Sequence, residues 1–274
     1  MIFFRNITAL FILLCGIFQI QNSFAQSSIN RVEIRARDLY MCTNYQHMLC
    51  EHGVEDVAHE IVGHLPHLKR IVEEKQLPFV RDVNIYVYKN IDTFVKRSGA
   101  TSNVRAAVTN DAIHVSPTIN SFHEFGSYED LLIKTMTHEL SHLNLLQNFG
   151  HNNYQHIPSW FLEGLATYVS NGGGVESVSG YQAKKMLIEG MGFSPEKEGD
   201  FQEKIKALKI NPQIYYKQAE GFVRFIYSMG HEKFDKFLKS LITDGGFNQL
   251  FIANYKVSVG EMWRYYFNVI SREY

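Results

Sequence analysis

The chain has 274 residues, 27 of them basic and 28 acidic, for a formal net charge of −1. Such a length suits one large domain or two intimately joined halves. A charge balance this close to neutral gives no electrostatic case for nucleic acid or an anionic membrane as a partner.

Residues 1–25, MIFFRNITALFILLCGIFQIQNSFA, hold one charged side chain, Arg5, ahead of an apolar run from Ile7 to Ile20. The polar stretch after it ends in Ser23-Phe24-Ala25, with small residues where a signal peptidase needs them. This reads as a secretory signal peptide cleaved after Ala25. A membrane anchor is the weaker reading, because the run is shorter than the ~20 residues a spanning helix needs. Cys15 lies mid-run behind two leucines, which is not a lipoprotein context. No later stretch is long and apolar enough to span a bilayer. The remainder is expected to be exported and soluble, in a periplasm or outside the cell.

Cleavage leaves two cysteines, Cys42 and Cys50. In an oxidising compartment such a pair commonly bridges. Eight residues of unbroken helix would hold their Cα atoms about 12 Å apart, beyond the ~7 Å a disulfide tolerates. A bridge therefore requires a turn within CTNYQHMLC; two reduced, buried thiols are the alternative.

From Val54 to Val72 apolar residues fall at 54, 57, 58, 61, 62, 65, 68, 71 and 72, a helical stripe. Pro66 is expected to kink it. His59 and His64 in this segment are five residues apart, so they point in divergent directions on a helix and cannot share a metal. VNIYVYK (83–89) alternates and is rich in β-branched and aromatic residues, as a strand does. AAVTNDAIHVS (106–116) reads as two short strands around a turn at Thr109-Asn110-Asp111. Together these predict a small sheet.

Ser127 offers an N-cap, with Glu129 and Asp130 in the first turn where the helix dipole favours them. Leu131, Leu132, Met136, Leu140, Leu143 and Leu146 follow at helical spacing, and Gly150 is the expected stop. The loop HNNYQHIP (151–158) then leads to PSWFLEGLATYVSNGGG, a second helix capped by Ser159 and ended by the glycines from 172. Residues 175–210 read as short helices with loops, SPEKEGD among them as exposed loop. Ser194 lacks the Gly-x-Ser-x-Gly frame of a nucleophile elbow. Helices are expected near 215–229, 231–243 and 258–270. The fold class is α+β: a small mixed sheet in the front half, helices behind. The divisions are a signal peptide at 1–25, an N-terminal α/β subdomain with an edge strand at 26–126, and a helical catalytic subdomain at 127–274.

The long helix carries MTHELSHLN (136–144). Four residues apart on a helix, His138 and His142 differ by about 40° in direction and share a face. Both imidazoles can reach one zinc ion. Glu139, turned about 100° from His138, need not ligate and can serve as general base toward a water beside the metal. A catalytic zinc takes a third protein ligand and keeps one position open. Glu163, on the next helix among apolar neighbours Trp160, Phe161, Leu162, Leu165 and Ala166, is the candidate. A buried carboxylate without a partner is costly, and a cation is a good reason for one. His151 and His156, in the loop between the two helices, read mainly as solvated polar residues.

HELSH followed some 20 residues later by PSWFLEGLATY resembles the gluzincin metallopeptidases, and within them the compact bacterial peptidase-MA-like members. Their second motif, Trp-x-x-Glu-Gly-x-Ala-x-Tyr, is matched by Trp160, Glu163, Gly164, Ala166 and Tyr168. YKQAEGFVRFIYSMGHEKFDKFLKSL and GEMWRYYF resemble later segments of that family, so the resemblance covers about residues 80 to 270. It implies a zincin core, one Zn2+ per chain on His138, His142 and Glu163, and Glu139 as base. It also implies a later-helix oxyanion donor, matched by Tyr216, with Tyr215 as the open alternative. The substrate implied is a protein or peptide, laid as an added strand beside AAVTNDAIHV. One departure stands out. Thermolysin-like members carry an Asp one turn after the glutamate ligand, to orient a zinc histidine; here that position is Thr167, leaving Asn144 and the Thr167 hydroxyl as substitutes. Two other readings compete: a non-catalytic, zinc-stabilised binding protein on a peptidase fold, and a zinc amidase acting on cell-wall peptides.

Overall fold

The computed structural model describes residues 39–125, 127–196, 211–243 and 245–272. The segment expected to be a signal peptide and much of SPEKEGD lie outside the described residues. A mixed five-stranded sheet occupies the N-terminal half, in the order β1-β2-β3-β5-β4. Its strands are β1 (Tyr40–Met41), β2 (Met48–Cys50), β3 (Asn84–Val87), β4 (Ala106–Thr109) and β5 (Ala112–Val115). β2, β3 and β5 run parallel, and β1 and β4 flank them antiparallel.

Helix α1 (Glu55–Lys75) crosses from β2 to β3, burying Ala58, Ile61, Leu65, Leu68 and Val72. These belong to the apolar stripe read from the sequence. Pro66 lies inside the helix without ending it. Helix α2 (Ile91–Ser98) links β3 to β4 and was not expected. Its signals are local: Asn90 caps the N–H groups of Asp92 and Thr93, and Gly99 follows the last turn at φ 72°. β3 shows the period of two. Ile85 and Val87 join the main core, while Tyr86 and Tyr88 face the smaller cluster around Phe94 of α2. The β4–β5 hairpin turns at Asn110 (φ 51°) and Asp111 (φ 61°). Positive φ at both central residues is the turn whose twist suits paired strands.

Cys42 and Cys50 form a disulfide, with Cα atoms 5.9 Å apart. The turn that permits it lies between β1 and β2, where Met48 N–H donates to Tyr45 O at 2.9 Å.

Helix α3 (Tyr128–Tyr154) carries the histidine pair. Gly150 breaks it at φ 70° and ψ 164°, so the main helix does stop there, and a short turn to Tyr154 follows. Ser127 stands at the N-cap position, but its side chain makes no capping bond. Five polar contacts seat α3 on the connector between α1 and β3. Gln76 Nε2 donates to Ser141 Oγ at 2.6 Å, Asn144 Nδ2 to Leu77 O at 2.7 Å, and Asn148 Nδ2 to Pro78 O at 3.0 Å. Gln147 accepts from Arg81 N–H and donates to Asp82 O, each at 3.2 Å.

Helix α4 (Ser159–Val169) has Pro158, not Ser159, at its cap position. The Pro158 carbonyl accepts from Phe161 and Leu162 N–H, so Ser159 is already the first helical residue. Among the described residues, the back half continues with helices α5 (Gly180–Ile188), α6 (Pro212–Ser228), α7 (His231–Ser240), α8 (Phe247–Tyr255) and α9 (Val259–Arg272). Asn211 caps α6 through Gln213 N–H, with Pro212 in its first turn, so Tyr216 lies a turn inside the helix rather than opening it. α8 was not expected. It is seated by Phe247, Phe251 and Tyr255, one helical turn apart and all buried. A Cβ on Gly164 would stand 2.7 Å from Ala219 O, so the α4–α6 crossing needs glycine there. One hydrophobic cluster runs from Met48 to Ile270 and joins the sheet, α1, α3 and the back helices.

Candidate metal centre

His138 and His142 project from one face of α3 and are each 4% exposed. Glu163 reaches them from α4 and is 2% exposed. The two Nε2 atoms are 3.1 Å apart. Glu163 Oε2 stands 3.4 Å from His138 Nε2 and 3.7 Å from His142 Nε2. The three side chains form a buried group able to hold a metal ion. Zinc bonds of about 2.0–2.2 Å at tetrahedral angles set neighbouring donor atoms about 3.3–3.6 Å apart. The observed triangle brackets that spacing. The carboxylate contacts are also long for hydrogen bonds, as expected of donor atoms arranged around a cation rather than bonded to one another.

Glu139 is 7% exposed, beside His138 in sequence. Burial pushes its carboxyl up to about 8; the charge of His138 opposes the rise and that of Glu163 adds to it. Glu163 behaves in the opposite way. Burial alone would raise it, but the imidazoles, His142 foremost, hold it well below the usual carboxylate range. Two carboxyls in one pocket are thus driven apart, one toward a permanent anion, the other toward a group that exchanges a proton near neutrality. Paired carboxyls pushed in opposite directions by their surroundings are common at functional sites.

The surroundings differ from what the sequence suggested. Asn144 is engaged with Leu77 O, and the Thr167 hydroxyl is buried with no hydrogen bond. The partner of His142 is Tyr154, whose hydroxyl lies 3.2 Å from Nδ1. Nothing in the spacing of HNNYQHIP singles out Tyr154, which lies between the two histidines of that loop. Those point elsewhere: His151 and His156 are exposed, and His151 lies 3.6 Å from Asp111. Against His138 packs the loop after α4. A Cβ on Gly174, at φ 81°, would lie 3.6 Å from the His138 ring. Glu176 accepts from Gly174 N–H at 3.0 Å and pairs with Arg105, just ahead of β4, at 3.8 Å. Tyr215 and Tyr216 are both buried in α6, the helix that crosses α4 at Gly164.

No protein-family model matches the sequence, and no curated protein matches it. Among the described residues, no helix is long and apolar enough to cross a membrane.

Proposed function

We propose that this chain is an exported zinc metallopeptidase of the gluzincin type, built on a zincin core and hydrolysing peptide bonds in a protein or peptide substrate. The observation that carries the reading is the buried triangle of His138, His142 and Glu163, with Glu139 enclosed beside it. Zinc held there would supply Lewis acidity and make water acidic enough to ionise near neutral pH.

The chain's own groups do the rest. Glu139 takes the proton of the attacking water and passes it to the leaving amine. Tyr216 is the oxyanion donor of this reading. Tyr215 is the poorer choice, being fully enclosed, whereas Tyr216 is 9% exposed. β4 is the edge of the sheet and packs against α3. Ser116 N–H bonds Arg105 O, and alternation along the ladder then turns the main-chain groups of Ala106 and Val108 away from β5. Ala106 is enclosed, whereas Val108 is half-buried, so an extended substrate would pair at the Val108 end of this edge.

The test compares the parent with Glu139→Gln for metal content and for cleavage of casein, a peptide library and peptidoglycan peptides. One zinc per chain in both, with chelator-sensitive cleavage by the parent alone, is the expected result. Zinc in both with no cleavage by either would favour the zinc-stabilised binding protein. Cleavage confined to peptidoglycan peptides would favour the cell-wall amidase. No zinc in either overturns the metal centre itself.

A further inference from the structure

Tyr154 stands twelve residues beyond His142, yet its hydroxyl lies 3.2 Å from His142 Nδ1. A continuous helix forbids the contact, because twelve residues rise about 18 Å along the axis, well past the reach of a tyrosine. Gly150 makes the contact possible by interrupting α3 at φ 70° and ψ 164°. That backbone state is essentially confined to glycine. A Cβ at Gly150 would meet nothing within 4 Å, so the position needs the glycine torsion and not the space. In the turn that follows, His151 Nε2 lies 3.6 Å from Asp111 Oδ1 of the β4–β5 turn.

His142 aims its other nitrogen, Nε2, at His138 and Glu163. For Nε2 to give its lone pair to a metal, Nδ1 must carry the ring proton, and that proton wants an acceptor. We infer that Tyr154 is a positioning residue of the metal centre. Its hydroxyl oxygen accepts the Nδ1–H of His142, fixes the tautomer and rotation of the ring, and reaches it only through the bend at Gly150. The inference rests on the metal-centre reading and extends it to a residue outside the HELSH and WFLEG segments.

Tyr154→Phe removes the hydroxyl and keeps the ring. Three quantities are measured on it and on the parent: zinc affinity by competition with a chromophoric chelator, the 15N imidazole signals of His142 in the zinc-loaded protein, and the melting temperature of the metal-free protein. The expected result is zinc binding weaker by about 10- to 100-fold, a His142 Nδ1–H that exchanges faster with solvent, and an unchanged metal-free melting temperature. Gly150→Ala keeps the hydroxyl but strains the bend, and is expected to weaken zinc in the same direction. Parent-like zinc affinity in Tyr154→Phe overturns the inference and leaves the metal centre standing. So does an unaltered His142 signal with a lowered metal-free melting temperature, which would mark a purely structural tyrosine. A parent that binds no zinc overturns both.

Discussion

Glu139 and Glu163 share one pocket, and their opposite displacements give the metal-free protein a distinctive pH response. Glu139 has its folded pKa raised to about 8 from an ordinary 4.5. A group raised in this way favours the folded state fully below its unfolded value, and that contribution drains away as pH climbs through the folded value. Glu163 is depressed, so its contribution is present above about 4.5 and lost only in stronger acid. Metal-free protein is therefore expected to lose stability between pH 5 and 8, by an amount on the order of a few kcal/mol. Glu139→Gln should flatten that decline and melt higher than the parent at pH 8, as thermal melts across the range would show. A parent whose metal-free stability rises over the same interval would contradict this account. The spacing of His138, Glu139 and His142 was readable in the sequence because one helix places all three. Tyr154 was not, because its contact with His142 depends on a torsion at Gly150 that redirects the chain, and no periodicity encodes where the redirected residue lands.

At the scale of elements, α4 and α6 approach so closely that the backbone of one occupies the space a side chain would need on the other. Gly164→Ala would put a methyl group 2.7 Å from Ala219 O. Overpacking of this kind costs about 1–3 kcal/mol, to be read from denaturant unfolding. Because Glu163 is the adjacent residue, the same change should also displace a ligand and weaken metal binding. The disulfide gives a second prediction. Closing a short loop of about nine residues stabilises by about 2–3 kcal/mol in the chain-entropy account, so Cys50→Ala should lower stability by at least that, with the buried site left underfilled. The β4–β5 hairpin was legible because Asn110-Asp111 sits between strands of fitting composition. β1 and β2, of two and three residues, are too short to carry an alternating pattern. α2 and α8 were passed over although their signals exist, a capping asparagine in one and aromatic residues a turn apart in the other. Short helices announce themselves by their ends and their buried face more than by a long stripe.

For the whole molecule, the continuous core from Met48 to Ile270 means that front and back halves bury the same apolar surface. Unfolding is then expected to be a single transition. The two tryptophans, Trp160 and Trp263, report on the back half alone, whereas far-ultraviolet circular dichroism sums the helices of both halves. Coincident midpoints from the two signals are the expected outcome, and midpoints separated in urea would mean two independent units. The class of fold, a small mixed sheet ahead of a helical half, was legible from the order of patterns along the chain. The shared core was not, since it depends on which faces meet.

The polar seam along α3 carries a consequence for modularity. Ser141 accepts a hydrogen bond from the α1–β3 connector, Gln147 both accepts and donates there, and Asn144 and Asn148 donate to it, while the histidines project from another face of the same helix. A fragment beginning at residue 127 would keep every proposed ligand and the base, yet it would expose the apolar flank of α3 to water. It would also strand the Asn144, Gln147 and Asn148 amides without their main-chain partners. The helical half is thus not transplantable by itself: grafted or truncated versions must bring the connector from Gln76 to Asp82 and the helix that delivers it.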